Sequence, residues 1–145
     1  MNKILVPVDG SAASQKAATK AAEIAKEKGS EILFLSVIEF TERYNQMDYL
    51  GESVNPQVAK ILFENQTKML ESLTEILDLD GVKFENKVIE GIAYEEILKC
   101  AEDDVDLIVM SQRGFSKVKR FFMGSVTHRV ISDAPCPVLV INADK

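Results

Sequence analysis

Short, nearly continuous apolar runs alternate along the chain with longer segments whose apolar residues recur at helical spacing. Runs of this kind are typical of strands that are buried on both faces of a sheet. Four of them predict such strands: Ile4–Val8, Ile32–Ile38, Leu107–Met110 and Val138–Ile141. A fifth strand is predicted where Val82, Phe84 and Val88 alternate with charged residues, and its wet face places it at a sheet edge.

The segments between these runs predict helices. Ser11 is placed to cap the first helix and Gly29 to end it. A long amphipathic helix is predicted over 58–77, a third helix over 94–101 and a short fourth helix from Gly124 to about Ser132. One face of the first helix consists of small residues, which allow close packing on a sheet: Ala17, Ala18, Ala21, Ala22 and Ala25.

Strands and helices therefore alternate over the whole chain. This order predicts right-handed crossovers and a mostly parallel, doubly wound α/β sheet with helices on both faces. Residues 1–145 are interpreted as one domain, because no repeat or low-complexity tract divides them. The connection at 39–56 is unusually long for a compact domain. It carries Tyr44, Met47 and Tyr49, and three interpretations stay open: a lid, a partner surface or a disordered insert.

The composition is that of a globular protein, and its charge argues against one class of partner. Of the 145 residues, 46% are apolar and 28% are charged, close to globular averages. A net charge of -6 makes nucleic acid a poor partner, because an acidic surface repels phosphates. No apolar run approaches the roughly 18 residues that span a bilayer, so no membrane association is predicted.

The cysteines and the single histidine are interpreted as structural or surface residues. Cys100 and Cys136 lack the paired spacing of a metal or redox site, which favours reduced core residues and a cytoplasmic location. Residues 1–8 also lack the layout of a signal peptide. His128 is predicted to lie at the surface, because no triad of nucleophile, base and carboxylate accompanies it.

The stretch from Ser111 to Thr127 carries the features of an anion site. It leaves a predicted inner strand and enters a helix, at the edge where open α/β sheets bind ligands. Gly114 can adopt a positive φ, and Gly124 with Ser125 begins a helix whose N–H groups suit a phosphate. The alternative is that the glycines only make turns and Ser125 only caps the helix. Local positive charge comes from Arg113, Lys117, Lys119 and Arg120.

At these residues the chain resembles the universal stress protein family. The family's C-terminal signature is a glycine, two residues, a second glycine, nine residues, and then Gly-Ser or Gly-Thr. Gly114, nine intervening residues and the Gly124-Ser125 pair match this signature, whereas Ser111 stands where the first glycine is expected. Further similarity runs along almost the whole chain, in the stretches Ile4–Ser11, Asp106–Met110 and Ala134–Val140.

The resemblance implies a fold and a ligand. The fold is a Rossmann-like parallel sheet of five strands in the order 3-2-1-4-5, so that strands one and four are neighbours. The ligand is ATP, with Mg²⁺ accompanying the nucleotide and Asp9 near the ribose or the metal. The binding residues that it implies are Pro7, Val8, Asp9 and Val37 around the adenosine, and Met110, Ser111, Arg113, Gly114, Gly124, Ser125, Val126 and Thr127 along the loop that would cradle the phosphates.

Ser111 departs from the family pattern, and three interpretations of it stay open. If the first glycine is needed for a positive φ, serine costs on the order of 1 kcal/mol of strain. If the glycine is needed for close approach, the Cβ of Ser111 crowds the ribose. If neither holds, the hydroxyl replaces a water molecule.

The function that fits best is nucleotide binding in a regulatory stress-response role, without metabolic catalysis. The chain has no strong nucleophile–base arrangement and no GxxxxGKS or GxxxxGKT phosphate loop. Two alternatives stay open. The first is slow ATP hydrolysis or phosphoryl transfer, with Asp9 and Ser125 near the phosphates. The second is an interaction module that acts as a dimer without nucleotide.

The last strand predicts a homodimer. Its residues are apolar on both faces, yet the implied strand order leaves the strand at an edge of the sheet, where it is a template for pairing. The resemblance implies the same contact, with antiparallel pairing of the last strands of two copies. The residues concerned are Val138, Leu139, Val140 and Ile141.

Overall fold

The computed structural model of the chain describes residues 2–39, 55–112 and 123–142. Within them, a parallel sheet of five strands has the order β3-β2-β1-β4-β5. The strands are β1 (Lys3–Pro7), β2 (Glu31–Ile38), β3 (Phe84–Glu90), β4 (Leu107–Ser111) and β5 (Val138–Ile141). The helices described are α1 (Ala12–Lys28), α2 (Pro56–Ile76), α3 (Ala93–Ala101) and α4 (Ser125–Asp133). The predicted doubly wound α/β architecture and its strand order are confirmed.

Two hydrophobic cores lie on the two faces of the sheet. Ile4, Val6 and Val8 pack into the core beneath α1 and α2, whereas Leu5 packs into the core beneath α3 and α4. This division follows from the alternation of side chains along a strand. It explains why the first apolar run has no polar position, since a strand covered on both faces has no wet side.

The first helix begins and ends as its sequence predicts. The Ser11 hydroxyl oxygen accepts a hydrogen bond from the Ser14 N–H at 3.1 Å, and Gly29 ends the helix with φ at 68°. Ala17 and Ala21 are completely buried. The small side chains let α1 lie close to the central strands, which positions the turn between β1 and α1 at the carboxyl end of β1.

The third strand lies at an edge of the sheet, as predicted, but it begins at Phe84 rather than at Val82. Val82 belongs to the preceding turn, in which its N–H donates to the Leu79 carbonyl at 2.9 Å. In the helix before it, α2, the buried residues are Leu70 and Leu73, whereas Val58 and Ile61 near its start are exposed. The amphipathic stripe of α2 therefore contacts the sheet mainly through its C-terminal half.

The structure describes only the two ends of the predicted lid at 39–56. Asn55 caps α2 by accepting from the Gln57 N–H at 2.8 Å, and Pro56 occupies the first turn of that helix. The rest of the segment, residues 40–54, lies outside the described residues, and the lid stays a prediction. Across the described parts of the chain, no helix combines the length and the apolarity that a bilayer crossing requires.

One carboxylate ties the start of β1 to the segment that leads into β4. Asp106 Oδ2 accepts hydrogen bonds from the N–H groups of Asn2, at 2.5 Å, and Lys3, at 3.1 Å. These donors, with Asn2 the larger influence, hold the pKa of the Asp106 carboxyl below its ordinary value. The contact fixes β1 against β4 at the amino ends of these strands. The candidate site lies at their carboxyl ends.

A pH dependence of stability follows from this contact. A carboxyl with a lowered pKa in the folded state stabilises the fold above its unfolded pKa of about 3.9, and the contribution is lost as the pH falls through the folded pKa. We therefore expect Asp106→Asn to lower the free energy of unfolding in urea at neutral pH, and the deficit to shrink below about pH 4. Asp103→Asn, at an exposed position nearby, is the control. An equal deficit at neutral and acid pH would contradict the expectation.

Candidate functional site

A cleft of about 280 Å³ opens at the carboxyl ends of the strands. It lies at the topological switch point, where the chain winds from β1 towards β2 on one side and from β4 towards β5 on the other. Open α/β sheets bind ligands at this point, because the loops there diverge and leave a crevice. Its lining consists of Pro7, Val8, Asp9, Ser14, Leu35, Val37, Ala93, Ile97, Met110, Ser111, Gly124, Ser125, Val126 and Thr127.

The cleft brings together every described residue that the sequence assigned to the site. Arg113 and Gly114 lie outside the described residues. Sequence reasoning missed four lining residues: Ser14, Leu35, Ala93 and Ile97. The helical periodicity predicts Ile97 as an inward-facing residue of its helix, but it does not indicate that this helix begins at the carboxyl ends of the strands.

The centre of the cleft is formed by the end of β1 and the turn that follows it. Asp9 Oδ1 accepts from the Ser11 N–H at 2.9 Å, and Gly10 has φ at 89°. One carboxylate oxygen is thus used to shape the turn. The Asp9 residue is otherwise exposed, so its carboxylate is accessible to a hydroxyl group or to a hydrated cation.

The first turn of α4 forms one end of the cleft and presents open hydrogen-bond donors. Gly124 is the N-cap residue, and no side chain among the described residues caps this helix. Its first intrahelical hydrogen bond runs from the His128 N–H to the Gly124 carbonyl at 2.9 Å. The N–H groups of Ser125, Val126 and Thr127 are therefore left for a ligand or for water. An uncapped helix N-terminus of this kind favours an anion.

Two details of this turn differ from the sequence-based expectation. The Gly124 N–H is not open to a ligand, because it donates to the Gln112 carbonyl at 2.8 Å. Ser125 is the first helical residue and not the cap, so the interpretation of Ser125 as a mere helix cap is wrong. Gly124 itself has φ at -62° and ψ at 152°, a conformation that any residue adopts. The backbone conformation therefore does not require a glycine at this position.

Ser111 ends β4 in an unstrained conformation. Asp104, with φ at 63°, is the one non-glycine residue in the described ranges with a positive φ, so the strain interpretation of Ser111 does not hold. Ser111 is buried, and its carbonyl oxygen accepts from the Thr127 hydroxyl at 2.9 Å. Thr127 is buried as well. This hydrogen bond fixes the first turn of α4 to the end of β4.

Among the described residues, the remaining reactive side chains do not form a catalytic group in the cleft. His128 is exposed, as predicted, and is not a lining residue. Burial raises the pKa values of the Cys100 and Cys136 thiols, which disfavours the thiolate. Within the described residues, no cluster of three or more histidine, cysteine or acidic side chains could hold a metal ion.

Comparison with known proteins gives one consistent family. The model of the universal stress protein family matches residues 1–142. Universal stress protein MJ0531 of Methanocaldococcus jannaschii is 34% identical, over 99% of this chain and 83% of its own length. Universal stress protein YxiE of Bacillus subtilis is also 34% identical, over 97% of this chain and 98% of its own length.

Solved structures share the fold. The structure of protein MJ0577, a universal stress protein of Methanocaldococcus jannaschii, superposes with a TM-score of 0.81 at 31% identity and covers 97% of this chain and 94% of that one. Two more distant structures contain adenine nucleotides. A universal stress protein in complex with cAMP has a TM-score of 0.68 at 18% identity, covering 99% of this chain and 98% of that one. A universal stress protein of Archaeoglobus fulgidus in complex with dAMP has a TM-score of 0.66 at 21% identity, covering 97% and 98%.

Proposed function

Because the chain belongs to the universal stress protein family, we propose that it binds ATP, with Mg²⁺, in the cleft between β1 and β4. The role of this binding is regulatory, in a stress response in the cytoplasm. Free thiols at Cys100 and Cys136 fit a reducing compartment. Two proteins that share the fold hold cAMP and dAMP, which supports an adenine nucleotide as the ligand class.

The observation that carries the proposal is the N-terminus of α4 at one end of the cleft, which no side chain among the described residues caps. Its three open N–H groups supply charge-assisted hydrogen bonds to phosphate oxygens. The opposite side of the cleft is apolar, with Leu35, Val37 and Ile97 in its lining. A nucleotide has the same division between an apolar, aromatic base and a charged phosphate tail. Asp9 follows β1, which lies between β2 and β4 in the sheet, and it lines the cleft, so its carboxylate can accept from ribose or hold a hydrated Mg²⁺.

Binding without efficient turnover is the activity that the described residues support. Asp9 is the one charged side chain among the described lining residues, and no histidine or cysteine accompanies it there. Phosphoryl transfer needs a positioned nucleophile and charge stabilisation at the transferred group. Slow hydrolysis, with Asp9 and Ser125 near the phosphates, is the second candidate.

Titration calorimetry of the purified chain with ATP and Mg²⁺ tests the proposal. Mass spectrometry of small molecules released on denaturation is the parallel measurement, since a tightly bound nucleotide would mask the titration. Saturable binding with one nucleotide per chain supports the proposal, and phosphate release during the same incubation would favour the enzyme. If the chain does not bind ATP and releases no nucleotide on denaturation, the interaction module is favoured.

The Ser111 substitution gives a prediction about the cleft. Because the backbone of Ser111 is already unstrained and its carbonyl contact with Thr127 does not depend on the side chain, glycine offers no conformational advantage here. We expect Ser111→Gly to change ATP affinity by less than about twofold, and to lower stability by roughly 0.5–1 kcal/mol, the cost of glycine in a strand. Calorimetry and urea unfolding measure the two effects. Much tighter ATP binding by Ser111→Gly would instead support crowding of the ribose.

We also propose a homodimer that forms through β5. This strand is at an edge of the sheet, and all of its residues, Val138 to Ile141, are only half-buried in the single chain. Pairing of the strand with its copy would satisfy the unpaired backbone N–H and C=O groups of the edge and cover these side chains. We expect light scattering to give twice the chain mass at micromolar concentration, and Val140→Lys to give the monomer. A monomeric native chain would contradict this proposal.

A further inference from the structure

Glu39 caps a helix that is distant in sequence and borders the cleft. It follows the last residue of β2 and is half-buried. Its Oε1 accepts a hydrogen bond from the Ala93 N–H at 2.5 Å, across 54 positions of the chain. The N-cap residue of α3 is Ile92, which supplies no side-chain cap. The carboxylate of the residue after β2 therefore takes the place of a local cap, and it lies next to Ala93, a lining residue.

The cleft consequently has two ends with opposite electrostatic character. β2 and β4 flank β1, so the carboxyl ends of β2 and β4 lie about 10 Å apart, which is two strand spacings. At the β2 end, the N-terminus of α3 carries the Glu39 carboxylate and is followed by Glu95 and Glu96 in the first turn. At the β4 end, the first turn of α4 contains no acidic residue, and no side chain in the described parts of the chain caps it.

We propose that Glu39 is a specificity-determining and positioning residue that sets the orientation of a phosphorylated ligand in the cleft. Its negative charge disfavours phosphate at the β2 end and leaves the α4 N-terminus as the end that accepts it. Its hydrogen bond to Ala93 fixes the first turn of α3, and thereby the wall against which the neutral part of the ligand packs. This inference rests on the proposed nucleotide binding. It adds that Glu39 governs the orientation of the nucleotide and the selectivity of the cleft for the charge of its ligand.

Two substitutions separate the charge of Glu39 from its hydrogen bond. Glu39→Gln keeps a side-chain oxygen that can accept from Ala93 but removes the charge. We expect it to tighten ATP binding by about threefold at low salt, from the loss of one negative charge at roughly 10 Å, and to leave adenosine affinity unchanged. High salt should abolish the gain, because it screens the interaction. Glu39→Ala also removes the acceptor, and we expect it to weaken adenosine binding by about fivefold.

Titration calorimetry with ATP and with adenosine, on the full chain at two salt concentrations, measures these effects. Glu102→Gln, an exposed carboxylate at the other end of α3, is the matched control and should change neither affinity. If Glu39→Gln changes the affinities for ATP and adenosine by the same factor, Glu39 has only a structural role and the inference is overturned. If the native chain binds ATP, that result leaves the proposed function intact. If the native chain binds no nucleotide, both are overturned.

Discussion

Replacement of Phe34 by alanine is expected to lower the free energy of unfolding by about 3–5 kcal/mol, the cost of deleting a fully buried aromatic ring. Phe34 is completely buried on β2, in the core beneath α1 and α2. Total stabilities of small domains are about 5–15 kcal/mol, so one substitution would remove a large share. Urea unfolding monitored by circular dichroism measures the change.

The chain offers a matched control in the neighbouring edge strand. The Phe84 ring contacts the Phe34 ring edge to face, with centroids 6.1 Å apart and planes at 71°. Phe84 is 42% exposed, so Phe84→Ala should cost only about 1–2 kcal/mol, from partial burial and the aromatic pair. Equal losses from the two variants would contradict the assignment of Phe34 to the core. Because β2 also carries Leu35 and Val37, we expect Phe34→Ala to weaken ligand binding secondarily.

Local patterns were sufficient to predict the helices and the strands along the chain, whereas the strand order across the sheet was implied by the family resemblance. The first apolar run is uninterrupted because helices cover both of its faces, and the third strand alternates because it lies at an edge. The start of β3 was harder to predict, because pairing decides it. Phe84 is the first residue of that strand in register with β2, where it pairs with Ile32. The apolar character of Val82 contains no information about that register.

Polar contacts between distant elements also escaped the sequence-based interpretation. Gln66 interrupts the apolar stripe of α2, and the pattern alone indicates a weakness there. In the structure, its side-chain oxygen accepts from the hydroxyl of the buried Ser36 at 2.9 Å. The interruption on the helix is therefore matched by a polar residue on β2. Neither residue indicates its partner on its own, because the pair forms only when α2 packs on the sheet.

The parts of the candidate site that local sequence signals mark were predictable. The parts that depend on the packing of distant elements were not. The turn after β1 and the first turn of α4 carry local signals, namely a glycine or serine at the start of a helix. Ala93 has no such signal, and it reaches the cleft only because α3 begins beside the end of β2. The capping of α3 by Glu39 is a tertiary contact across 54 positions, which no local motif encodes.

The largest expected effect on binding is that of Gly124→Val, which should weaken ATP binding by about 100-fold or more. Gly124 precedes the three open N–H groups of α4 and lines the cleft. A branched side chain there would occupy the space through which a phosphate reaches those donors. Loss of two charge-assisted hydrogen bonds, each worth about 1.5–3 kcal/mol, accounts for the factor. Ser125→Ala removes one hydroxyl and should cost only about fivefold.

The backbone at this position makes the experiment interpretable. The φ of -62° and ψ of 152° at Gly124 are accessible to valine, and the N-cap of α3 is already occupied by a β-branched residue, Ile92. We therefore expect Gly124→Val to remain folded, as judged by circular dichroism and urea unfolding. Met123→Val, at the preceding exposed residue outside the lining, is the matched control and should bind ATP normally. Native affinity in folded Gly124→Val would mean that the phosphates lie away from α4, and the proposed orientation of the nucleotide would be wrong.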